Sequence, residues 1–115
     1  PTVRNMFGAA ARDGRPEALA QVGAEQIANA PRAAEVMKAY ESRPNLSDIL
    51  SGVRCSVTLI VGEEDRTCDL AGAEAMAARL ADARVVVLPG CGHYYAVEQP
   101  EETAAALRLA LAPAR

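Results

Sequence analysis

Two short apolar runs limit what this chain of 115 residues can fold into. The first covers residues 55–61 and the second residues 84–88, and both are rich in β-branched and other apolar side chains. Continuous runs of this kind, without strict alternation, are typical of strands buried on both faces of a parallel sheet. Parallel neighbours need a right-handed crossover, and the alanine-rich segment from Asp69 to about Ala83 is predicted to supply it as a helix. The chain is therefore predicted to be an α/β protein.

The remaining segments are predicted to be mainly helical, because apolar side chains recur at helical spacing between proline and glycine interruptions. Asn29–Pro31 interrupts the longest such pattern, since a proline inside a helix removes a hydrogen bond. The expected pieces are, in chain order, a loop or short frayed helix with little chemistry over residues 1–13, helices over 16–28 and 31–42, a capped turn over 45–50 and a last helix over 101–111.

Composition excludes several classes of protein. The formal net charge of -3 offers no basic surface for nucleic acid. No apolar run approaches the ~20 residues of a membrane-spanning helix, so we expect no membrane partner and a cytoplasmic location. The three cysteines are an odd number at irregular spacing, which suits neither a disulfide framework nor a zinc knuckle.

Two parallel strands are not a self-sufficient sheet, because their edges and faces need covering. The helices bring little buried area of their own, since alanine is abundant and the chain has only three tyrosines and one phenylalanine. We therefore expect dimerisation, strand exchange or a partner subunit. A segment outside residues 1–115 or a second copy of the chain would supply the missing strands.

Each apolar run is followed at once by a glycine-containing loop with an ionisable residue. Residues 61–66 read Val-Gly-Glu-Glu-Asp-Arg, and residues 89–93 read Pro-Gly-Cys-Gly-His. His93 is the only histidine. Open α/β sheets keep their functional groups past the carboxyl ends of the strands, so Asp65 and His93 are predicted to lie at one sheet edge. An acid and a histidine are two of the three members of a catalytic triad.

The order of pieces from Asn45 to Ala112 resembles the C-terminal end of α/β-hydrolases. The similarity lies in a Leu-x-x-Ile-Leu turn, the two strand-and-loop segments, the alanine-rich helix between them and Glu-Gln-Pro-Glu at residues 98–101. The resemblance implies a partial α/β-hydrolase fold, with two parallel strands and flanking helices after an N-terminal helical segment. Residues 45–115 would be the C-terminal part of the core, and residues 1–44 resemble, more weakly, the helical cap of such enzymes.

The resemblance also implies roles for two residues. The family's triad acid maps onto Asp65 and its triad histidine onto His93, which implies a serine hydrolase acting on a small-molecule ester, thioester or related acyl substrate, with no cofactor. A histidine that titrates near neutrality can accept and return a proton, and a carboxylate can fix its tautomer. Glu63 and Glu64 are weaker candidates for the acid, because we expect one or both to point to solvent.

The nucleophile that the family uses is missing from these residues. The serines are Ser42, Ser47, Ser51 and Ser56, and none lies in a Gly-x-Ser-x-Gly turn between a strand and a helix. The nucleophile is therefore expected on a missing segment or a partner chain, and the chain alone is expected to be inactive. The alternative is a non-catalytic, hydrolase-like module for assembly or binding.

Three other interpretations of the second loop are weaker. Cys91 could be a nucleophile beside His93, although a small residue that fills the loop is the simpler interpretation. A metal site from Asp65, Cys68, Cys91 and His93 would mix hard and soft ligands at no usual spacing, so no metal is predicted. Residues 90–92 also resemble a phosphate-binding loop, but Tyr95 stands where the third glycine would be.

The two tyrosines after His93 leave a further choice open. Tyr94 and Tyr95 could line a substrate pocket or could pack the loop onto the sheet edge.

Overall fold

The computed structural model describes residues 3–112, apart from the side chain of Ala34. It has a two-stranded sheet with helices before, between and after the strands. The elements are α1 (Val3–Met6), α2 (Ala9–Gly14), α3 (Pro16–Glu41), a 3-10 helix (Ser47–Gly52), β1 (Val57–Gly62), α4 (Leu70–Ala77), β2 (Ala83–Leu88), α5 (Tyr95–Glu98) and α6 (Pro100–Leu111).

The two strands are parallel and in register from Val57 opposite Ala83 to Gly62 opposite Leu88. Both strands therefore end at the same sheet edge, as the α/β prediction requires. This confirms the predicted pair of parallel strands with flanking helices.

The crossover helix α4 is shorter than predicted. It begins after Asp69, whose side chain accepts a hydrogen bond from the Gly72 amide at 2.8 Å, and it ends at Ala77 rather than near residue 83. The amides of Arg79 and Leu80 bond to carbonyls three residues back instead of four, so the last turn tightens and the helix stops. This lets the chain turn into β2.

The predicted break at Asn29–Pro31 is wrong. Helix α3 continues through Pro31 for 26 residues. Pro31 leaves the carbonyl of Ile27 without its helical partner, but Ile27 is 77% exposed, so water can reach this part of the helix. Alanine and glutamate make up about half of the residues on both sides, and their high helix propensity favours continuation of the helix.

Residues 3–13 are more ordered than predicted, since they contain α1 and most of α2, whereas residues 1 and 2 of that prediction lie outside the described residues. Phe7, between α1 and α2, is only 1% exposed and is the centre of a small core with Ala11 and Ala18. Half-buried side chains complete this core, namely Val3, Leu19, Val22 and Tyr94. The segment expected to be a loop or frayed helix is therefore a packed part of the fold, because Phe7 packs against Tyr94, which lies far along the chain.

The sheet is only partly covered within residues 3–112. Residues 57–60 of β1 are half-buried, and Val87, next to the last residue of β2, is 37% exposed. We predicted that both faces of these strands are buried. The described helices do not cover both faces, so the side chains of the strands stay partly exposed. No helix among residues 3–112 is long and apolar enough to cross a membrane.

Candidate active site

Asp65 lies in the turn after β1, which we call the aspartate turn (residues 63–68). Its Oδ1 atom accepts hydrogen bonds from the amides of Thr67 at 2.8 Å and Cys68 at 3.0 Å. The carboxylate is therefore fixed by its own turn, in the manner of an Asx turn. Its other oxygen, Oδ2, is directed to the neighbouring loop.

His93 lies in the loop after β2, which we call the histidine loop (residues 89–94). Gly90 there has φ of +62°, a left-handed conformation that glycine adopts without strain. The loop turns back over the end of the sheet, and the His93 amide donates a hydrogen bond to the Met6 carbonyl at 2.6 Å. The histidine backbone is thus tied to the N-terminal part of the chain.

The structure brings the two predicted site residues together. His93 Nδ1 lies 2.9 Å from Asp65 Oδ2. The Asp65 side chain is 2% exposed, whereas that of His93 is 31% exposed. A buried acid thus holds one ring nitrogen while part of the imidazole faces solvent, which is the arrangement that a general base needs.

The surroundings of Asp65 favour its charged form. Burial, the largest single influence, raises the pKa of this carboxyl. Hydrogen bonds from the Cys68 amide, the His93 ring and the Thr67 amide act in the opposite direction, and the net result is a pKa below the ordinary value of 3.8. Asp65 is therefore an anion at neutral pH and can stabilise a protonated imidazole.

Glu98 is a site residue that the sequence reasoning missed. Its carboxylate is buried and accepts three backbone hydrogen bonds, from Gly8 at 2.8 Å and Gly92 at 3.1 Å on Oε2 and from Tyr94 at 3.2 Å on Oε1. Two of these donors flank His93 in the chain. Glu98 thus fixes the histidine loop from the inside, and its place in the Glu-Gln-Pro-Glu segment was the only sequence signal for it.

Residues 6–9, which we call the N-terminal segment, were also missed. Besides the bond from His93 to Met6, the Ala9 amide donates to Glu64 Oε2 at 2.8 Å. The approach is so close that a Cβ atom on Gly92 would overlap backbone atoms of Met6, Phe7 and Gly8. No local pattern in the sequence indicates this contact, because it joins residues more than 80 positions apart.

The two glutamates of the aspartate turn also have structural partners. Glu63 accepts a hydrogen bond from the Gly90 amide at 2.8 Å, and Glu64 accepts the one from Ala9. The expectation that one or both point to solvent is therefore incomplete: Glu63 is exposed, yet both carboxylates bond to neighbouring loops. Neither takes the place of Asp65 beside the imidazole.

The geometry argues against a cysteine nucleophile and a phosphate loop. Cys91 is fully buried, and its burial, together with nearby Glu98, raises the pKa of the thiol to about 12, so it stays protonated. The amides that a phosphate would need are already used, since Gly90 donates to Glu63 and Gly92 donates to Glu98. Cys91 therefore fills the loop.

Tyr94 packs the histidine loop onto the core. Its ring lies 4.9 Å from that of Phe7 and 5.6 Å, edge on, from that of His93. Its hydroxyl group accepts a hydrogen bond from Gln26 on α3 and lies 3.8 Å from the Met6 sulfur. The packing role is thus the one that the contacts of Tyr94 support.

Of the four possible metal ligands, the structure groups three. Single donor atoms of Asp65, Cys68 and His93 all lie within 4.8 Å of one another. Cys91 is buried elsewhere in the histidine loop and is not in this group.

Comparison with known proteins bears on the family and the fold of the chain. The model of the alpha/beta hydrolase family matches residues 2–106. Monoacylglycerol lipase ABHD6 of mouse and of human are each 31% identical to the chain over 64 residues, which is 56% of this chain and 19% of the relatives' length. The chain thus spans about a fifth of the length of these curated relatives.

Solved structures show the same likeness. Est816, described as an N-acyl homoserine lactone degrading enzyme, superimposes with a TM-score of 0.80 at 27% identity. The match covers 93% of this chain and 44% of the Est816 chain. A thermophilic esterase from Thermogutta terrifontis superimposes with a TM-score of 0.87 at 24% identity and covers 93% and 40%, a likeness of fold alone. With a family match over nearly all of its length and this shared fold, the chain belongs to the alpha/beta hydrolase family.

Proposed function

We propose that this chain is the C-terminal part of a serine hydrolase that acts on an ester, thioester or related acyl substrate. The observation that carries the proposal is the 2.9 Å contact between the buried Asp65 carboxylate and His93 Nδ1. In this proposal His93 is the general base and Asp65 orients it. The serine nucleophile comes from a segment outside these residues or from a partner chain.

The proposed step uses both ring nitrogens of His93. Nδ1–H donates to Asp65, which leaves Nε2 as the unprotonated acceptor. Nε2 takes the proton of the serine hydroxyl as its oxygen attacks the acyl carbon, and the Asp65 anion stabilises the imidazolium that forms. Nε2 then returns the proton to the leaving group, so the base is regenerated for the second half of the reaction.

The substrate class rests on the relatives. The curated relatives are named as monoacylglycerol lipases, and a structural neighbour is described as degrading N-acyl homoserine lactones. Each name refers to an ester or lactone, whose carbonyl carbon is open to attack by a serine hydroxyl. We therefore place an acyl ester first among the candidate substrates, ahead of a thioester.

The rest of the sheet is proposed to join along β1. Within residues 3–112, β1 pairs only with β2, so its other edge has unused backbone groups. A cavity of about 410 Å³ lies along β1 and the start of α4 and is lined by Thr58, Ile60, Cys68 and Met76 among others. A strand added there would cover β1 and bring its carboxyl end, where a nucleophile turn would follow, to the edge that holds the pair Asp65 and His93, which we call the dyad.

Residues 1–44 are proposed to be the cap-like part, with one qualification. The exposed end of α3, with Val36 at 64% and Tyr40 at 57%, has the apolar surface expected of a cap that covers a substrate. The qualification is that the N-terminal segment, which belongs to this part, also supports the base, because the His93 amide bonds to Met6.

The test combines the chain with an N-terminal hydrolase half that carries a Gly-x-Ser-x-Gly turn and measures the hydrolysis of a chromogenic ester. We expect no hydrolysis by the chain alone, hydrolysis by the combination, and loss of about 10⁴-fold in rate for Asp65→Asn. Asp69→Asn is the matched control, because this exposed acid caps α4 and asparagine caps equally well.

Two results would contradict the proposal. One is ester hydrolysis by the chain alone that His93→Ala leaves unchanged. The other is a combined protein in which Asp65→Asn and Asp69→Asn have the same rate as the unmodified protein. Assembly with the N-terminal half but no hydrolysis by the combined protein would favour the non-catalytic module instead.

A further inference from the structure

We propose that Asp65, Cys68 and His93 form a binding site for a soft or borderline divalent cation, of which Zn²⁺ fits best. The site lies at the junction of the aspartate turn and the histidine loop. It requires a carboxylate, a thiolate and an imidazole from three residues that two loops bring to one place.

The positions of the three groups support the site. One donor atom from each residue lies within 4.8 Å of the other two, and Asp65 Oδ2 and His93 Nδ1 are already 2.9 Å apart. Two ligands bound to one Zn²⁺ at about 2.0–2.3 Å each must lie within about 4.5 Å of each other. Cys68 is exposed, so a rotation of its side chain can bring the sulfur the short remaining distance.

The backbone already holds two of the ligands at fixed positions. The Cys68 amide donates to Asp65 Oδ1, which fixes the turn between these residues. The His93 amide donates a hydrogen bond to the Met6 carbonyl, so the backbone that carries the imidazole is held in place. A site whose ligands are pre-positioned loses less entropy on binding than one on mobile loops.

The set of donors selects the kind of metal. Mg²⁺ and Ca²⁺ prefer oxygen ligands alone, whereas Zn²⁺ binds cysteine sulfur, histidine nitrogen and carboxylate oxygen. Three protein ligands with His93 partly exposed leave the fourth tetrahedral position to water. Binding replaces the thiol proton of Cys68 and any proton on the bound ring nitrogen, and both go to solvent.

The other cysteines do not offer the same site. Cys91 is fully buried and its pKa is raised to about 12, so it does not supply a thiolate. Cys55 is exposed but lies before β1, at the opposite end of the strand from the dyad. Cys55 is therefore a matched control for thiol chemistry without the neighbouring ligands.

Occupation of this site would have a consequence for the proposed hydrolase, and this consequence alone rests on the proposed function. Catalysis needs Nδ1 of His93 for Asp65 and Nε2 for the serine proton. A cation on either nitrogen removes one of these contacts. Zn²⁺ is therefore expected to inhibit reversibly, with recovery on chelation.

The test measures binding to the reduced chain, so it does not depend on hydrolase activity. Cd²⁺ is the probe, because its bond to a thiolate gives an ultraviolet charge-transfer band. We expect one Cd²⁺ per chain, a loss of at least about tenfold in affinity for Cys68→Ala and for His93→Gln, and no change for Cys55→Ala. Cys68→Ser, with nearly the same shape, checks that the loss comes from the sulfur.

A second measurement uses the single histidine. Zn²⁺ should shift the imidazole resonances of His93 in the unmodified chain, and the same Zn²⁺ concentration should leave them unshifted in Cys68→Ala. The proposal is overturned if Cys55→Ala removes the Cd²⁺ band, if Cys68→Ala binds as tightly as the unmodified chain, or if His93→Gln has no effect on affinity. The last result would mean that the imidazole is not a ligand.

Discussion

The end of the sheet that holds the dyad and the outer end of α3 (residues 36–41) differ sharply in the number of contacts that hold them in place. At the sheet end, the histidine loop is bonded to Glu98, Met6 and Glu63, and glycine backbones pass within van der Waals contact of one another. At the outer end of α3, large apolar side chains are mostly exposed, including Val36 at 64% and Met37 at 51%.

This difference separates a part of the molecule that is bonded to other described residues from a part whose apolar surface stays exposed. The sheet end satisfies its buried polar groups with residues of this chain, so the dyad can form without the rest of a hydrolase core. Within residues 3–112 the apolar surfaces of α3 and the sheet have no such cover, and they are the surfaces that we propose the rest of the sheet or a partner would bury. Substitutions at the sheet end should therefore cost much more stability than substitutions at the outer end of α3.

The largest effect is expected at Gly92. A Cβ atom there would overlap backbone atoms of the N-terminal segment, which cannot rotate away as a side chain can. We expect Gly92→Ala to cost about 4 kcal/mol or more in the free energy of unfolding, measured by urea denaturation.

Gly23→Ala is the control for Gly92→Ala. Gly23 lies in α3 with open space around it, so the substitution should stabilise the chain by about 0.5–1 kcal/mol through helix propensity. Equal stability of the two variants would remove the contrast between the regions.

The next effect is expected in the core under the histidine loop. Phe7 is 1% exposed and stacks on Tyr94, so Phe7→Ala should cost about 3–5 kcal/mol. Val36→Ala, on the outer end of α3, should change the free energy by no more than about 0.5 kcal/mol. Thermal and urea unfolding of both variants measure this, and a large loss at Val36 would show that α3 packs on something at that end.

A smaller effect is expected at Glu98. Glutamine offers one acceptor oxygen where the carboxylate offers two, so at least one of the amides of Gly8, Gly92 and Tyr94 loses its partner. Leaving a buried donor unpaired costs about 1–3 kcal/mol, which is the loss expected for Glu98→Gln in urea. Glu74→Gln on the exposed side of α4 should cost less than about 0.5 kcal/mol, and a similar cost at both would argue against the role of Glu98.

The smallest effect depends on pH. Because the pKa of Asp65 is lower in the folded chain than its ordinary value of 3.8, the folded state binds fewer protons at this group and is stabilised at higher pH. This contribution is complete well above pH 4, declines below about pH 4 and is lost as the pH falls through the folded pKa. Unfolding between pH 3 and 6 should show a stability loss for Asp65→Asn that shrinks at the acid end.

Asp69→Asn is the matched control for that pH series. A difference between Asp65→Asn and the unmodified chain that stays constant down to pH 3 would show that the charge of Asp65 plays no part. The comparison with Asp69 separates this charge from the general effect of removing an acid near α4.

The parts of the fold that depend on local sequence were predictable. The apolar runs, the turn residues after them and the spacing of Asp65 and His93 indicate two parallel strands and a carboxylate and an imidazole at one edge. Hydrophobic periodicity also places α6 within one residue of its observed start. These features depend on residues close together in the chain.

The parts that failed depend on distant residues or on solvent. Whether Pro31 breaks the helix depends on whether water reaches the carbonyl of Ile27. The order of the segment before α3 depends on the packing of Phe7 against Tyr94, which the local sequence does not indicate. Glu98 accepts hydrogen bonds from amides that only folding brings beside it, those of Gly8, Gly92 and Tyr94. The sequence contains no local signal of these partners.

Nitrogen NMR of the only histidine shows whether this chain forms the dyad by itself. At a pH where the imidazole is neutral, we expect a protonated Nδ1 bonded to Asp65 and an unprotonated Nε2, and we expect Asp65→Asn but not Asp69→Asn to change this tautomer. A mixture of tautomers that is the same in all three proteins would contradict it.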